Sequence, residues 1–327
     1  MRCSSNDRDT PKTDIADIST KFRPDSVRHS VSQSHAMTDF ALVTKSYAGD
    51  FDLCRMLCDS IDRHMPETKH YLLIDQVDAD LFDRLRQSNR EIVISDNLLP
   101  SLRSFGVLGR RLWWHPPTAI VRGWIYQQLT KLAFVASMSE AAAVHLDSDL
   151  LLLGPISQDH VFANGRARLL RNPGGGQSVQ HQRWHEISQQ LLGLTQTGYS
   201  GIDYIGPGVI WEPRRVQAML HRIETVTEKE WIGALASQFR FSEYLLYGIF
   251  CDQISPNDAP TPPDGDWSSC HMSWHYDLTS SAGVDSFVQG VNQSHETMLI
   301  QSNLGLPFAT RRLIVERVLE RLEQPGA

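Results

Sequence analysis

The sequence predicts an α/β fold, with a mostly parallel sheet flanked by helices in a single domain. Two observations carry this: short apolar runs alternate with amphipathic stretches, and the runs end in polar residues. The first run, residues 40–44, ends in Thr-Lys-Ser-Tyr, and residues 50–64 follow with Leu53, Met56, Leu57 and Ile61 at helical spacing. Strand-like runs at His70–Ile74 and 91–95 end at Asp75 and Asp96 and bracket a helical stretch over 79–89. Parallel sheets bind ligands at the carboxyl ends of their strands, which puts Thr44-Lys45-Ser46, Asp75 and Asp96 on the binding edge; the alternative is that the strands merely end in polar loops.

The longest helical stretch, 121–139, carries Ile125, Leu129, Leu132, Ala133 and Ala136 on one face and Gln127, Gln128 and Lys131 on the other. A buried-strand pattern over 142–146 then delivers the chain to Asp147-Ser148-Asp149. Further on, 204–211 reads as a strand entering a helix over 213–223, with Pro213 in its first turn. A short helix at 241–250, a proline-rich loop at 257–266, a strand at 298–302 and a helix at 310–323 complete the reading. Residues 1–37 are polar without an apolar period and are expected to be a disordered leader to a domain spanning 38–327.

Composition narrows the function. With a net charge of -7 and a pI near 6.0, the 327-residue chain has no overall basic field, so nucleic acid is not an expected partner. No apolar run approaches the roughly 20 residues a spanning helix needs, which predicts no transmembrane segment and at most peripheral membrane contact. The N-terminus lacks an apolar signal region, and the expectation is a cytoplasmic protein. The five cysteines form no CxxC pair, so buried or idle thiols are expected.

Two carboxylates one residue apart at a strand end, with a turn between them, face one ion from different angles. Oxygen ligands suit a hard cation such as Mg2+ or Mn2+, which leaves room for phosphate oxygens and water. Asp-x-Asp alone is often a solvated turn. Here Ala142 to Leu146 and Leu150 to Leu153 bury the flanks, and a buried carboxylate needs a cation or strong donors.

The stretches Phe40-Ala-Leu-Val-Thr-Lys-Ser-Tyr, Gly123-Trp-Ile-Tyr-Gln-Gln-Leu-Thr-Lys-Leu, His145-Leu-Asp-Ser-Asp-Leu and Phe241-Ser-Glu-Tyr-Leu-Leu-Tyr-Gly resemble the GT-A glycosyltransferases, and more closely the bacterial DUF6492 group. The resemblance implies a GT-A-like, Rossmann-type domain with a nucleotide-binding half over 38–154 and an acceptor-binding half over 155–327. It further implies a metal-dependent glycosyltransferase that moves a sugar from a nucleotide-sugar donor to a saccharide or glycolipid acceptor in polysaccharide biosynthesis. Thr44, Lys45, Ser46 and Tyr47 are thereby nominated to cradle the nucleotide with Asp75, Asp147 to contact metal and ribose, and Asp149 to hold Mn2+ or Mg2+. A late histidine, His271 ahead of His275, is nominated to complete the metal shell.

Gln127 and Lys131, one turn apart, are placed to reach the donor's phosphates or sugar, a solvated face being the alternative. Trp113-Trp114 read as a sugar-stacking loop or as core. Glu243, opening a helix beside Tyr244 and Tyr247, is the candidate general base; a carboxylate that only complements the helix dipole is the other reading. Two other functions compete. A phosphohydrolase of the haloacid dehalogenase type also uses Asp-x-Asp, but on its first strand and followed by Gly and Thr or Val; a non-catalytic nucleotide-sugar binder would share the binding residues.

Overall fold

The computed structural model describes residues 39–107, 110–116, 119–195, 198–256 and 268–324. The expected leader and the loop at 257–266 lie outside the described residues, which all fall within one compact unit, Thr38–Ala327. The chain opens as strand, helix, strand: β1 (Phe40–Lys45), α1 (Phe51–His64) and β2 (His70–Ile74). The short α2 (Ala79–Phe82) leads to β3 (Arg90–Ile94), and α3 (Ser95–Leu98) follows at once. A small antiparallel sheet is then inserted, made of β4 (Arg103–Val107), β5 (Arg110–His115) and β6 (Ala119–Val121). The long helix α4 (Gly123–Ser137) returns the chain to β7 (Ala142–His145), after which comes β8 (Leu150–Leu152).

The second half carries α5 (Gln158–Val161) and two-residue ladders pairing β9 (Phe162–Ala163) with β10 (Arg166–Ala167) and β11 (Asn172–Pro173) with β12 (Ile202–Asp203). Between the last two lies α6 (Val179–Leu191), and β13 (Val209–Trp211), α7 (Pro213–Thr227), α8 (Trp231–Ala236) and α9 (Glu243–Ile249) follow. The C-terminal part runs β14 (Cys270–Met272), α10 (Ser281–Gly290), β15 (Thr297–Leu299) and α11 (Phe308–Leu322).

The central sheet has the order β13-β7-β1-β2-β3, parallel throughout except that β13 runs antiparallel to β7. The expected α/β class, a mostly parallel sheet flanked by helices, is the one observed. Alternation along β1 places the helices: Phe40 and Leu42 pack with Leu57 and Ile61 of α1, while Val43 packs with Ile125, Leu129 and Leu132 of α4 on the other face. Each such aliphatic side chain contributes about 1.5–3 kcal/mol when fully buried. A second sheet, β14-β15-β8, brings the C-terminal segment against the chain just after Asp149.

Three elements differ from expectation. The helix over 79–89 shrinks to one turn extended by a 3-10 turn at Asp83–Leu85. The strand over 204–211 is regular only from Val209. Trp113 and Trp114 lie in β5: Trp113 is buried and stacks on Tyr126, with ring centroids 3.9 Å apart and planes 11° from parallel, whereas Trp114 is exposed.

Candidate active site

β7 ends at His145, and the chain turns through Asp147 and Ser148, where the Leu150 amide donates to the Asp147 carbonyl at 3.0 Å. The turn aims the two carboxylates differently. Asp147 lies half-exposed, while Asp149 is tucked under the C-terminal segment, its Oδ2 accepting the Ser302 amide at 2.7 Å. Burial and then repulsion from Asp147 push the Asp149 carboxyl up to about 6. Ser148 points the other way, donating to Ser46 Oγ at 2.9 Å in the interior.

Opposite the turn, α4 presents Lys131, whose Nζ lies 3.5 Å from Asp147 Oδ1, 3.3 Å from Glu243 Oε1 and 2.7 Å from Tyr244 Oη. Burial acts against this ammonium, but Tyr244, Asp147 and Glu243 together hold it well above the usual lysine range. Glu243 is the first residue of α9, and its orphan amide donates to Gln128 Oε1 at 3.1 Å, so two neighbouring helices are fastened where their polar groups meet. Burial raises the Glu243 carboxyl above its ordinary range, against the pull of Lys131.

These groups line a cleft of about 600 Å³ at the carboxyl ends of β1 and β7. Of the residues nominated from the sequence, Lys45, Gln127, Lys131, Asp147, Asp149 and Glu243 meet there. Thr44, Ser46, Tyr47, Asp75 and His271 are not among the residues lining it. Thr44 Oγ1 lies 3.0 Å from His70 Nε2 inside the sheet, Ser46 is taken by Ser148, and Tyr47 is half-exposed.

Asp75 is engaged by two cations, Lys45 at 2.7 Å and Arg111 at 3.2 Å, and Arg111 also holds Asp96 at 2.8 Å. The strand-end carboxylates on this side are thus paired with Lys45 of β1 and Arg111 of the inserted sheet. His271 faces away from the cleft: its Nε2 is 2.8 Å from the Phe287 carbonyl, and its ring packs on Phe287 of α10 at 4.3 Å. The residue expected to complete a metal shell thus does not line the cleft that holds Asp147 and Asp149. His275 is exposed and does not line the cleft either.

Several lining residues were not foreseen. Asp50 lies before α1, and the Gln301-Ser302-Asn303 turn follows β15. Trp124, His181 and Trp184 form the far wall, the two indole centroids 5.4 Å apart. Trp124 sits inside one of the stretches quoted above, so its position was legible although its role was not. Gln301 to Asn303 give no signal, because only the β8–β15 pairing brings them near Asp149.

Among the described residues no group of three or more His, Cys, Asp or Glu is arranged to hold a metal ion. The donor set still fits a hard cation: two carboxylates come from one turn, one of them raised by burial and then by repulsion from the other, in a cleft wide enough for a ligand's own oxygens to complete the coordination. Among the described residues no helix is long and apolar enough to cross a membrane.

Among the solved structures that resemble the chain, three illustrate how loose the likeness is. The galactosyltransferase LgtC, in complex with donor and acceptor sugar analogues, is 12% identical with a TM-score of 0.40, over 87% of this chain and 96% of that one. The glycosyltransferase GlyE of Streptococcus pneumoniae is 11% identical with a TM-score of 0.41, over 86% of this chain and 60% of that one. Mouse xyloside xylosyltransferase 1 is 13% identical with a TM-score of 0.41, over 82% of this chain and the whole of that one, 100%. The overlaps are too loose to transfer a residue or a reaction. No curated protein matches the chain. Residues 35–259, more than half of the chain, match the profile of DUF6492, a family of unknown function, and the protein belongs to that family.

Proposed function

We propose that the protein is a GT-A-like, metal-dependent glycosyltransferase that moves a sugar from a nucleotide-sugar donor to a saccharide or glycolipid acceptor, in the assembly of a polysaccharide. One observation carries the reading: a single cleft of about 600 Å³ gathers the Asp147–Asp149 pair, the Lys131 ammonium and the buried Glu243 carboxylate. That volume suits a ligand of nucleotide-sugar size. Asp147 and Asp149 would hold Mn2+ or Mg2+, which when bound offsets the charge of the donor's diphosphate. Lys45 and Lys131 add positive charge to the lining of the cleft, and Gln127 offers an amide to the sugar.

Glu243 takes the proton from the acceptor hydroxyl as that oxygen forms its bond to the anomeric carbon. The bond from that carbon to the diphosphate oxygen breaks, and its electron pair leaves with the nucleoside diphosphate. A haloacid-dehalogenase-type reaction fits less well, since Asp147 follows the seventh strand rather than the first. The test is release of nucleoside diphosphate from UDP-, GDP- and CDP-sugars by the full chain with Mn2+. Release from one donor class, abolished by EDTA, is expected. EDTA-insensitive release, or phosphate release from a phosphomonoester in its place, would overturn the reading.

A further inference from the structure

Beside the far wall of the cleft lies a face that nothing in the proposed reaction uses. Ile120 of β6, Val179 at the start of α6 and Phe239 between α8 and α9 are 63%, 85% and 70% exposed, and Trp124 of α4 is 44% exposed. Large apolar side chains left in water singly are ordinary; four on adjoining ground are not. Their adjacency is seen in the hollows between them. One of about 310 Å³ is lined by Ile120, Arg122 and Phe239, and one of about 260 Å³ by Arg122, Trp124, Phe239 and Arg240. A third, of about 620 Å³, joins Val179 to Arg240. Trp124 also lines the cleft, so the face and the cleft mouth are continuous.

The net charge on this ground is positive. The Arg122 guanidinium lies 4.9 Å over the Phe239 ring. Neither Arg122 nor Arg240 has an acidic partner among the described residues, while Arg183 is neutralised by Glu186 at 2.9 Å. A net positive spot on a chain of net charge -7 runs against the overall composition. Tryptophan, phenylalanine and aliphatic side chains ringed by unpaired arginines match a bilayer interface, where rings sit at headgroup depth and guanidinium groups meet lipid phosphates. The apolar residues come from three separate elements and the α8–α9 loop.

We propose that the face carrying Ile120, Arg122, Trp124, Val179, Phe239 and Arg240 seats the protein on an anionic membrane surface, with the cleft mouth at headgroup level. If the proposed transfer holds, the acceptor is lipid-linked; that clause rests on the transfer, whereas membrane seating does not. The test is co-sedimentation of the full chain with phosphatidylcholine vesicles and with vesicles of equal parts phosphatidylcholine and phosphatidylglycerol. The wild type should bind the anionic vesicles more tightly, and added salt should weaken the binding.

Arg122→Gln with Arg240→Gln should reduce anionic-vesicle binding about 25-fold, at about fivefold for each charge removed, while leaving binding to neutral vesicles little changed. Ile120→Ser with Phe239→Ser should reduce binding to both kinds of vesicle. All four side chains lie outside the cleft, so release of nucleoside diphosphate in the absence of lipid should be unchanged, which also shows that the variants fold. No binding by the wild type, or binding untouched by either double variant, would overturn the proposal. So would a wild-type dimer that Ile120→Ser with Phe239→Ser converts to monomer, since a second copy would then be the occupant.

Discussion

Replacing Lys131 with methionine keeps the length of the side chain and removes its charge. The neighbours lose unequally. Glu243 is 6% exposed and 3.3 Å away, so it loses a partner it cannot exchange for water; Asp147, 51% exposed at 3.5 Å, is screened by solvent. Stranding one member of a buried ion pair destabilises by about 3–5 kcal/mol. In a domain of this size that lowers the melting temperature by roughly 6–20 °C, at about 2–4 °C per kcal/mol.

The loss has a pH signature. Without Lys131, burial and the neighbouring Asp147 raise Glu243 against only a backbone hydrogen bond, so its folded pKa rises further above the unfolded value. Its protonated form is the one the fold tolerates, and the Lys131→Met deficit should shrink below that folded pKa and grow as pH rises through it. Adding Glu243→Gln removes the stranded charge and should restore at least about 1.5 kcal/mol relative to the sum of the single effects. Urea unfolding of the four proteins in the cycle, at about pH 5 and about pH 8, is the assay. Single effects that add within about 0.5 kcal/mol, or a pH-independent deficit, would refute the reasoning.

Three further outcomes follow from the same geometry. Glu243→Gln should lower turnover about 100-fold to 10,000-fold with little change in donor affinity; near-normal turnover, or product that retains the donor's anomeric configuration, would remove Glu243 as base. His70 is wholly buried, accepts from Arg90 Nε at 3.1 Å, and is lowered to about 3 by burial and by Arg90. A depressed pKa contributes stability that is present above the unfolded value near 6.5 and lost as pH falls towards 3; His70→Gln should flatten that part of the stability–pH curve, by up to about 1.4 kcal/mol per pH unit. A methyl group at Gly248 of α9 would run into the Tyr204 ring, so Gly248→Ala should destabilise by about 1–3 kcal/mol in thermal unfolding; an unchanged melting temperature would show that α9 shifts freely.

How much of this was legible in the sequence depends on how local each cause is. Strands β1, β2, β3 and β7 and helices α1, α4, α7 and α11 are fixed by their own hydrophobic period, and all eight were read from it. The inserted sheet β4–β6 was missed because β4 and β5 carry Arg103, Arg110 and Arg111 among their apolar residues. That omission misplaced Asp75, which the reading left free for a ligand and Arg111 in fact ties down.

At the cleft, the Asp147–Asp149 turn, Lys131, Gln127 and Glu243 came from local patterns and from the resemblance, and they do meet. The late histidine was chosen by position along the chain alone. Strand β14 sets where its side chain points, and it points into α10, while the segment that does reach Asp149 is Gln301 to Asn303.

In the proposed reaction the Asp147–Asp149 turn binds a divalent cation together with a nucleoside diphosphate. Calorimetric titration of UDP, GDP and CDP into the full chain, with and without Mn2+, tests it most directly, with Asp149→Asn alongside. One nucleotide should bind only when Mn2+ is present, and Asp149→Asn should abolish this dependence. Equal binding without the metal, or an unchanged metal-dependent affinity in Asp149→Asn, would contradict it.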